Sequence, residues 1–217
     1  MGLKLYGFSM SAPTESVMTC LAEKEIEYEL VHLNFSAAEH KSPTHLAKNP
    51  FGLVPVLEDG PVTLFESRAI SKYIAYKYKG TGTDLLRQEN IKEEATVGVW
   101  LEVESQQFCP AIDAIAHQIL INPFLGLPTD QSIIDAKLVK LHLVLDIYEA
   151  RLSNSKYLAC DFFTLADLHH LPYIHYFMKT PYADLITSRA HVKAWWEVIS
   201  ARPSFVQAIR QNNNTAC

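Results

Sequence analysis

The chain has no apolar run long enough to cross a bilayer, and its start, MGLKLYGFSM, has no charged leader followed by an apolar core. A membrane-spanning protein and a secreted precursor are therefore disfavoured, and the expected address is the cytoplasm. Positive charge is not in excess either: the formal net charge is −5, which leaves no basic field to hold nucleic acid or an anionic membrane surface. Cysteine is scarce. Cys20, Cys109, Cys160 and Cys217 form no CxxC pair and are too few for a disulfide scaffold, which fits a reducing compartment and offers no metal site. Gly2 is followed by Tyr6 where a myristoylation signal needs Ser or Thr. Repeats and low-complexity tracts are missing too. What remains is a globular composition, with 48% hydrophobic and 20% charged residues in 217, enough for one large or two small domains.

The pattern changes character along the chain. Leu3-Lys4-Leu5-Tyr6 alternates as a strand, and Ala12-Pro13-Thr14 opens a helix running through Val17, Met18, Cys20 and Leu21 to Lys24. Tyr28 to Leu33 is a second strand. Ser42-Pro43 sets an N-cap before a proline at the first helical position, for a short helix through Leu46 and Ala47. Val54 to Leu57, the turn Glu58-Asp59-Gly60-Pro61 and Val62 to Phe65 read as a β-hairpin. Apolar residues then recur at Ile70, Tyr73, Ile74 and Tyr78, one face of a helix whose N-terminus falls at Glu66-Ser67. This β-α-β-α-β-β-α order over residues 1–80 fits several α/β folds, thioredoxin-like among them. A polar, glycine-bearing stretch, Lys79 to Asp84, breaks the pattern, and the linker is placed at 81–88.

Residues 89–217 read as helical throughout. Glu89 to Leu120 is a long helix, Pro123 to Pro128 an interruption, and Asp130 to Leu152 a second long helix with Ile133, Ile134, Leu138, Leu141, Leu145 and Tyr148 in register. Thr164-Leu165-Ala166-Asp167 is a capping box opening Leu165 to Phe177, a folding signal rather than chemistry. Ala190 to Ser200 and Pro203 to Ile209 close the pattern, and Gln211 to Cys217 reads as frayed.

The segment Asn49 to Ser71 carries the most chemical information. The helix N-terminus at Glu66-Ser67 offers unpaired N–H groups and a positive dipole end to an anionic carboxylate. Pro55 cannot donate to a sheet ladder, so the Val54-Pro55 pair predicts an edge whose preceding backbone can bond an extended ligand, through a cis peptide. By composition alone, a plain hairpin and helix account for the segment equally well.

NPFGLVPVLEDG followed by LFESRAISKYI closely resembles the glutathione-binding segment of cytosolic glutathione transferases, in the form seen in the plant phi class, and the resemblance extends over nearly the full length. It implies a thioredoxin-like N-terminal domain and an all-α C-terminal domain. It also implies glutathione as co-substrate with no permanently bound cofactor, a homodimer touching through the first long helix at Trp100 and Glu104, and a peroxidase side activity.

Conjugation needs a thiolate near neutral pH, and a free thiol with a pKa of ~8.5 is mostly protonated there. A hydroxyl donating to the sulfur at a helix N-terminus favours the anion. In the turn Gly7 to Ala12, the spacing to Val17 and Cys20 puts Ser11 in the place of the family's catalytic serine, with Ser9 as the fallback and an ordinary turn serine as the plain reading of both. Tyr6 reads as a core strand residue. With Ser11 and no cysteine in that turn, a cysteine-type relative that reduces mixed disulfides is disfavoured. The resemblance assigns His40 and Lys41, in EHKSPTHL, to the glycine carboxylate of glutathione. It assigns Leu53, Val54 and Pro55 to the cysteinyl backbone, Glu66 to the ammonium and Ser67 to the γ-glutamyl carboxylate. An apolar electrophile is expected in a pocket between the domains walled by Met10, Ala12, Phe35, Ile115, Ile119 and Phe177, each of which serves equally well as core.

The chain departs from the family pattern in three places. Leu53 stands where glutamine is usual, Glu15-Ser16 where a basic residue is common, and Cys160 where the LAGDxF element has glycine, a change expected to strain the turn. A weakened clamp with an intact pocket would also suit a non-catalytic carrier of flavonoid-like apolar metabolites. A purely structural domain is disfavoured because the clamp survives.

Overall fold

The structure is a computed structural model that describes residues 2–8 and 10–214. Contacts divide the chain into two compact units, one holding the residues up to Leu86 together with the segment from Arg202 onward, the other Arg87–Ala201. In the first unit, β1 (Lys4–Gly7), α1 (Ala12–Glu23), β2 (Glu29–His32), a 3₁₀ turn (Glu39–Lys41), α2 (Pro43–Leu46), β3 (Val56–Asp59), β4 (Val62–Phe65) and α3 (Ser67–Lys77) follow the order read from the sequence. The sheet order is β2-β1-β3-β4, with β1 parallel to β2 and antiparallel to β3, and β4 antiparallel to β3. This is a thioredoxin-like arrangement. β3 begins at Val56 and not at Val54, because Pro55, joined to Val54 by a cis bond, has no N–H for a ladder, and β3 is an inner strand paired with both β1 and β4 rather than the expected edge.

The second unit is helical: α4 (Ile91–Val103), α5 (Cys109–Ala116), α6 (Asn122–Phe124), α7 (Gln131–Leu152), α8 (Leu165–Leu168), α9 (His170–Phe177), α10 (Asp184–Thr187) and α11 (Ala190–Ser200). α4 to α6 are continuous through π-helical stretches at Glu104–Phe108 and His117–Ile121; the helix runs just past Pro123 to Phe124, and the expected interruption follows from 125 to 130. Each stretch ends two residues before a proline, Pro110 or Pro123. A proline ring lacks the N–H and crowds the carbonyl four residues back, and a widened turn before it eases that clash. The core holds Phe108, Ile112, Ile115, Leu141, Leu145, Tyr148 and Phe177.

α12 (Pro203–Asn214) returns to the first unit, where it packs against α1. The helix extends past Ile209 to Asn214, and the last expected frayed residues, including Cys217, lie outside the described ones. Cys160 is not among the residues with positive φ, so it needs no glycine-only conformation and the strain expected there is not found. Glu104 is wholly buried and has no surface to offer a subunit contact, while Trp100 is half-buried and packs edge-on against Tyr148 at 5.7 Å. No helix of the described residues is long and apolar enough to cross a membrane.

Candidate functional site

Strand register gathers the candidate residues. Tyr6 pairs with Val31 and Val56, and Val56 pairs with Phe65. The chain therefore leaves β1 toward Ser11, leaves β2 toward His40 and Lys41, enters β3 from Val54 and Pro55, and leaves β4 toward Glu66 and Ser67, all at one end of the sheet. Binding groups placed beyond strand ends on a rigid sheet are a recurrent arrangement of α/β folds.

Ser11 is the N-cap of α1, at φ −89° and ψ 107°, and is half-buried. Its Oγ accepts from the Thr14 backbone N–H at 3.4 Å and from the Thr14 hydroxyl at 3.0 Å. The positive end of a twelve-residue helix thus stands behind a hydroxyl whose own proton is still available. Thr14 was missed in the sequence, where only the Ser-x-x-Thr spacing hinted at it. Ser9 lies outside the described residues. Tyr6 is half-buried and not core; its hydroxyl donates to Glu58 Oε2 at 2.6 Å and accepts from Lys48 Nζ at 3.3 Å, so it is already engaged. Cys20 is wholly enclosed in α1, and burial pushes its thiol up to about 12, which removes it as a nucleophile.

The loop from Asn34 to Pro55 is tied internally. Phe35 lies 4.3 Å from Phe8 and stacks on His40 at 4.0 Å, joining the β1 exit to the 3₁₀ turn. Burial, with help from Lys41 and His45, holds the His40 imidazole below its usual pKa, and its buried Nδ1 has no partner among the described residues. Lys41 is exposed and donates to the Phe51 carbonyl at 3.0 Å. It crosses Gly52, where a Cβ would sit 2.8 Å from the lysine chain and where φ is +59°, so only glycine fits. The Leu53 carbonyl accepts from His45 Nε2 and from Asn49 Nδ2, both at 2.9 Å, while the Leu53 side chain points out at 53% exposure. His45 and Asn49 were not among the sequence candidates; both act through the backbone of a residue that was.

Glu66 caps α3 with φ 71° and ψ 109°, a conformation costing a side-chain-bearing residue about 1–3 kcal/mol. Ser67 is the first helical residue and is buried; its hydroxyl makes no hydrogen bond to another described residue. Ile70 makes the first helical bond, to the Glu66 carbonyl, so the N–H groups of Ser67, Arg68 and Ala69 precede the intrahelical ladder. Such an end attracts a carboxylate. Of the expected electrophile walls, Met10 is exposed, Phe35 and Ile119 are half-buried and Ala12 is buried. Ile115 and Phe177 have no exposed surface at all: they lie in the core of the helical unit, where α5 packs on α9, and have no surface to offer a ligand. Among the described residues, no group of three or more His, Cys, Asp or Glu gathers closely enough to hold a metal ion.

Family models for the glutathione S-transferase N-terminal and C-terminal domains match residues 1–76 and 108–203. Glutathione S-transferase F13 of Arabidopsis thaliana is 52% identical over 207 residues, covering 95% of this chain and 94% of that one. Glutathione S-transferase 1 of Zea mays is 50% identical over 202 residues, covering 93% of each. Among solved structures, glutathione transferase F7 from Populus trichocarpa matches with a TM-score of 0.94 at 57% identity, over 97% of this chain and 99% of that one. Glutathione S-transferase I from maize, in complex with an atrazine–glutathione conjugate, matches with a TM-score of 0.91 at 48% identity, over 100% of both chains.

Proposed function

Since this chain belongs to the glutathione S-transferase family, among the plant phi-class enzymes, we propose that it activates glutathione through Ser11 and joins it to apolar electrophiles. The observation that carries the reading is the convergence of Ser11, His40–Lys41, Val54–Pro55 and Glu66–Ser67 at one sheet end. The α3 N-terminus and the Ser67 hydroxyl receive the γ-glutamyl carboxylate, and Glu66 faces the ammonium. Val54, outside the ladder, bonds the cysteinyl backbone. Lys41 supplies charge and His40 a neutral donor to the glycine carboxylate. The thiol proton leaves to solvent, the thiolate forms a carbon–sulfur bond and the leaving group departs with its electron pair. Ser11 keeps its proton throughout and donates a hydrogen bond to the sulfur. Met10 and Phe35 supply apolar surface in the first unit for the electrophile. The same reading makes the protein a cytoplasmic homodimer, supported by exposed apolar residues on α4 and α7, Ile91, Val99, Val139, Leu143 and Ile147 among them.

The test is conjugation of glutathione to a chloronitrobenzene. Ser11→Ala is expected to lower kcat/KM by about 10²-fold, the scale of losing one preorganised donor. Full activity in Ser11→Ala, with loss in Ser9→Ala, would transfer the role to Ser9. A wild type that binds apolar ligands but turns nothing over would leave a carrier.

A further inference from the structure

Thr14 lies one turn inside α1 and is 1% exposed. Its hydroxyl donates to Ser11 Oγ at 3.0 Å, while its backbone N–H reaches the same oxygen at 3.4 Å. Helix capping requires only the second of these bonds. The hydroxyl is aimed by packing: a Cβ on Gly7, at the end of β1, would come within 2.4 Å of Thr14 Cγ2 and 3.2 Å of Oγ1. A β-branched side chain has few χ1 choices in a helix, and the close approach of Gly7 fixes where the methyl sits. The hydroxyl is left facing Ser11.

Two adjacent hydroxyls can donate in either direction, and the acceptor at the end of the chain decides. When an anion lies beyond Ser11, the favourable order is Thr14 O–H to Ser11 Oγ and Ser11 O–H to the anion, since each bond polarises the next. The Thr14 N–H occupies the same oxygen from the helix side. With both acceptor positions of Ser11 Oγ filled, its single proton has only the outward direction left. We propose that Thr14 is a positioning residue for thiolate formation, holding Ser11 as a donor and strengthening its bond to the glutathione sulfur. This rests on the reading of Ser11 given above. No atom is transferred through Thr14; the thiol proton still leaves to solvent.

The experiment titrates the ultraviolet absorbance of the bound glutathione thiolate in the wild type, Ser11→Ala, Thr14→Val and Thr14→Ser, with thermal unfolding of each. Thr14→Val keeps the shape and loses the hydroxyl. It is expected to raise the pKa of the bound thiol by about 0.5 to 1 and to lower kcat/KM below that pKa about three- to tenfold. Thr14→Ser, which keeps the hydroxyl and loses the methyl, should retain the wild-type pKa. Adding Thr14→Val to Ser11→Ala should raise it no further. If valine prevents folding, Thr14→Ala carries the same expectation. A lower melting temperature in Thr14→Val with an unmoved thiol pKa would overturn the proposal and leave Thr14 a helix cap. An unmoved pKa in Ser11→Ala would instead remove the Ser11 reading, and the role of Thr14 with it.

Discussion

The two carboxylate oxygens of Asp167 receive four hydrogen bonds. Leu158 N–H and Trp195 Nε1–H donate to one oxygen at 3.0 Å each, and the Thr164 N–H and hydroxyl to the other at 3.1 and 3.3 Å. The side chain is wholly enclosed, and burial pushes its pKa up to about 6 against the pull of those four donors. Replacing it with alanine strands three buried N–H groups. Asp167→Ala should therefore cost about 3–5 kcal/mol in urea unfolding, far more than a change at an exposed carboxylate. A folded pKa above the unfolded value means that the fold favours the protonated acid. This contribution is complete below pH ~3.8 and is lost as pH rises through about 6, so Asp167→Asn should flatten the stability profile over that window. Half of this cluster was legible: Thr164 and Asp167 stand at capping-box spacing. The Trp195 and Leu158 bonds were not, because tertiary packing makes them. The same divides the site, where Ser11 reads as a helix cap while Thr14, His45 and Asn49 act through contacts that no local pattern displays.

Between elements, the closest dependence joins α1 to α12 and to the loop after α3. Glu23, at the last turn of α1, accepts from Arg202 Nε at 2.5 Å and Nη2 at 2.7 Å, from the Ser204 hydroxyl at 2.5 Å and from the Thr83 hydroxyl at 2.5 Å. Lys24 Nζ donates to the Thr83 carbonyl at 2.9 Å. Gly82 passes so close that a Cβ would lie 2.1 Å from the Glu23 carbonyl oxygen, at φ +59°. Burial acts to raise the Glu23 pKa, but the bonds from Arg202, Ser204 and Thr83 outweigh it and hold the carboxyl below its ordinary 4.5. Stability from a lowered carboxyl is present above the unfolded pKa and lost as pH falls through the folded one. Acidification below pH 4.5 should thus loosen α12 first, seen as faster amide exchange in that helix, and Glu23→Gln should show the fast exchange already at neutral pH. The sequence marked the end of the linker and the start of α12 at Pro203, yet assigned that helix to the domain of residues 89–217. Periodicity finds helices; it does not say where they dock. The cap on α11 is similar, since Glu149 on α7 accepts from the N–H groups of His191 and Val192, a cap supplied 42 residues away in sequence.

At the scale of the molecule, the order β-α-β-α-β-β-α and the helical second unit follow from hydrophobic period and turn chemistry, and both were legible. Of the two residues expected at a subunit contact, Glu104 is wholly buried and Trp100 half-buried. Val139, Leu143 and Ile147 repeat every four residues along α7 at 65%, 59% and 60% exposure, a stripe that nothing among the described residues covers. A charge in its middle should forbid self-association: the wild type is expected to sediment as a dimer and Leu143→Glu as a monomer, and a dimeric Leu143→Glu would take the interface elsewhere. The Leu53 carbonyl has a wider consequence. His45 and Asn49 grip the backbone there, so the course of the loop does not depend on what side chain residue 53 carries. Position 53 is therefore a tuning dial: polarity beside the tripeptide can be exchanged there without redrawing the path of the chain.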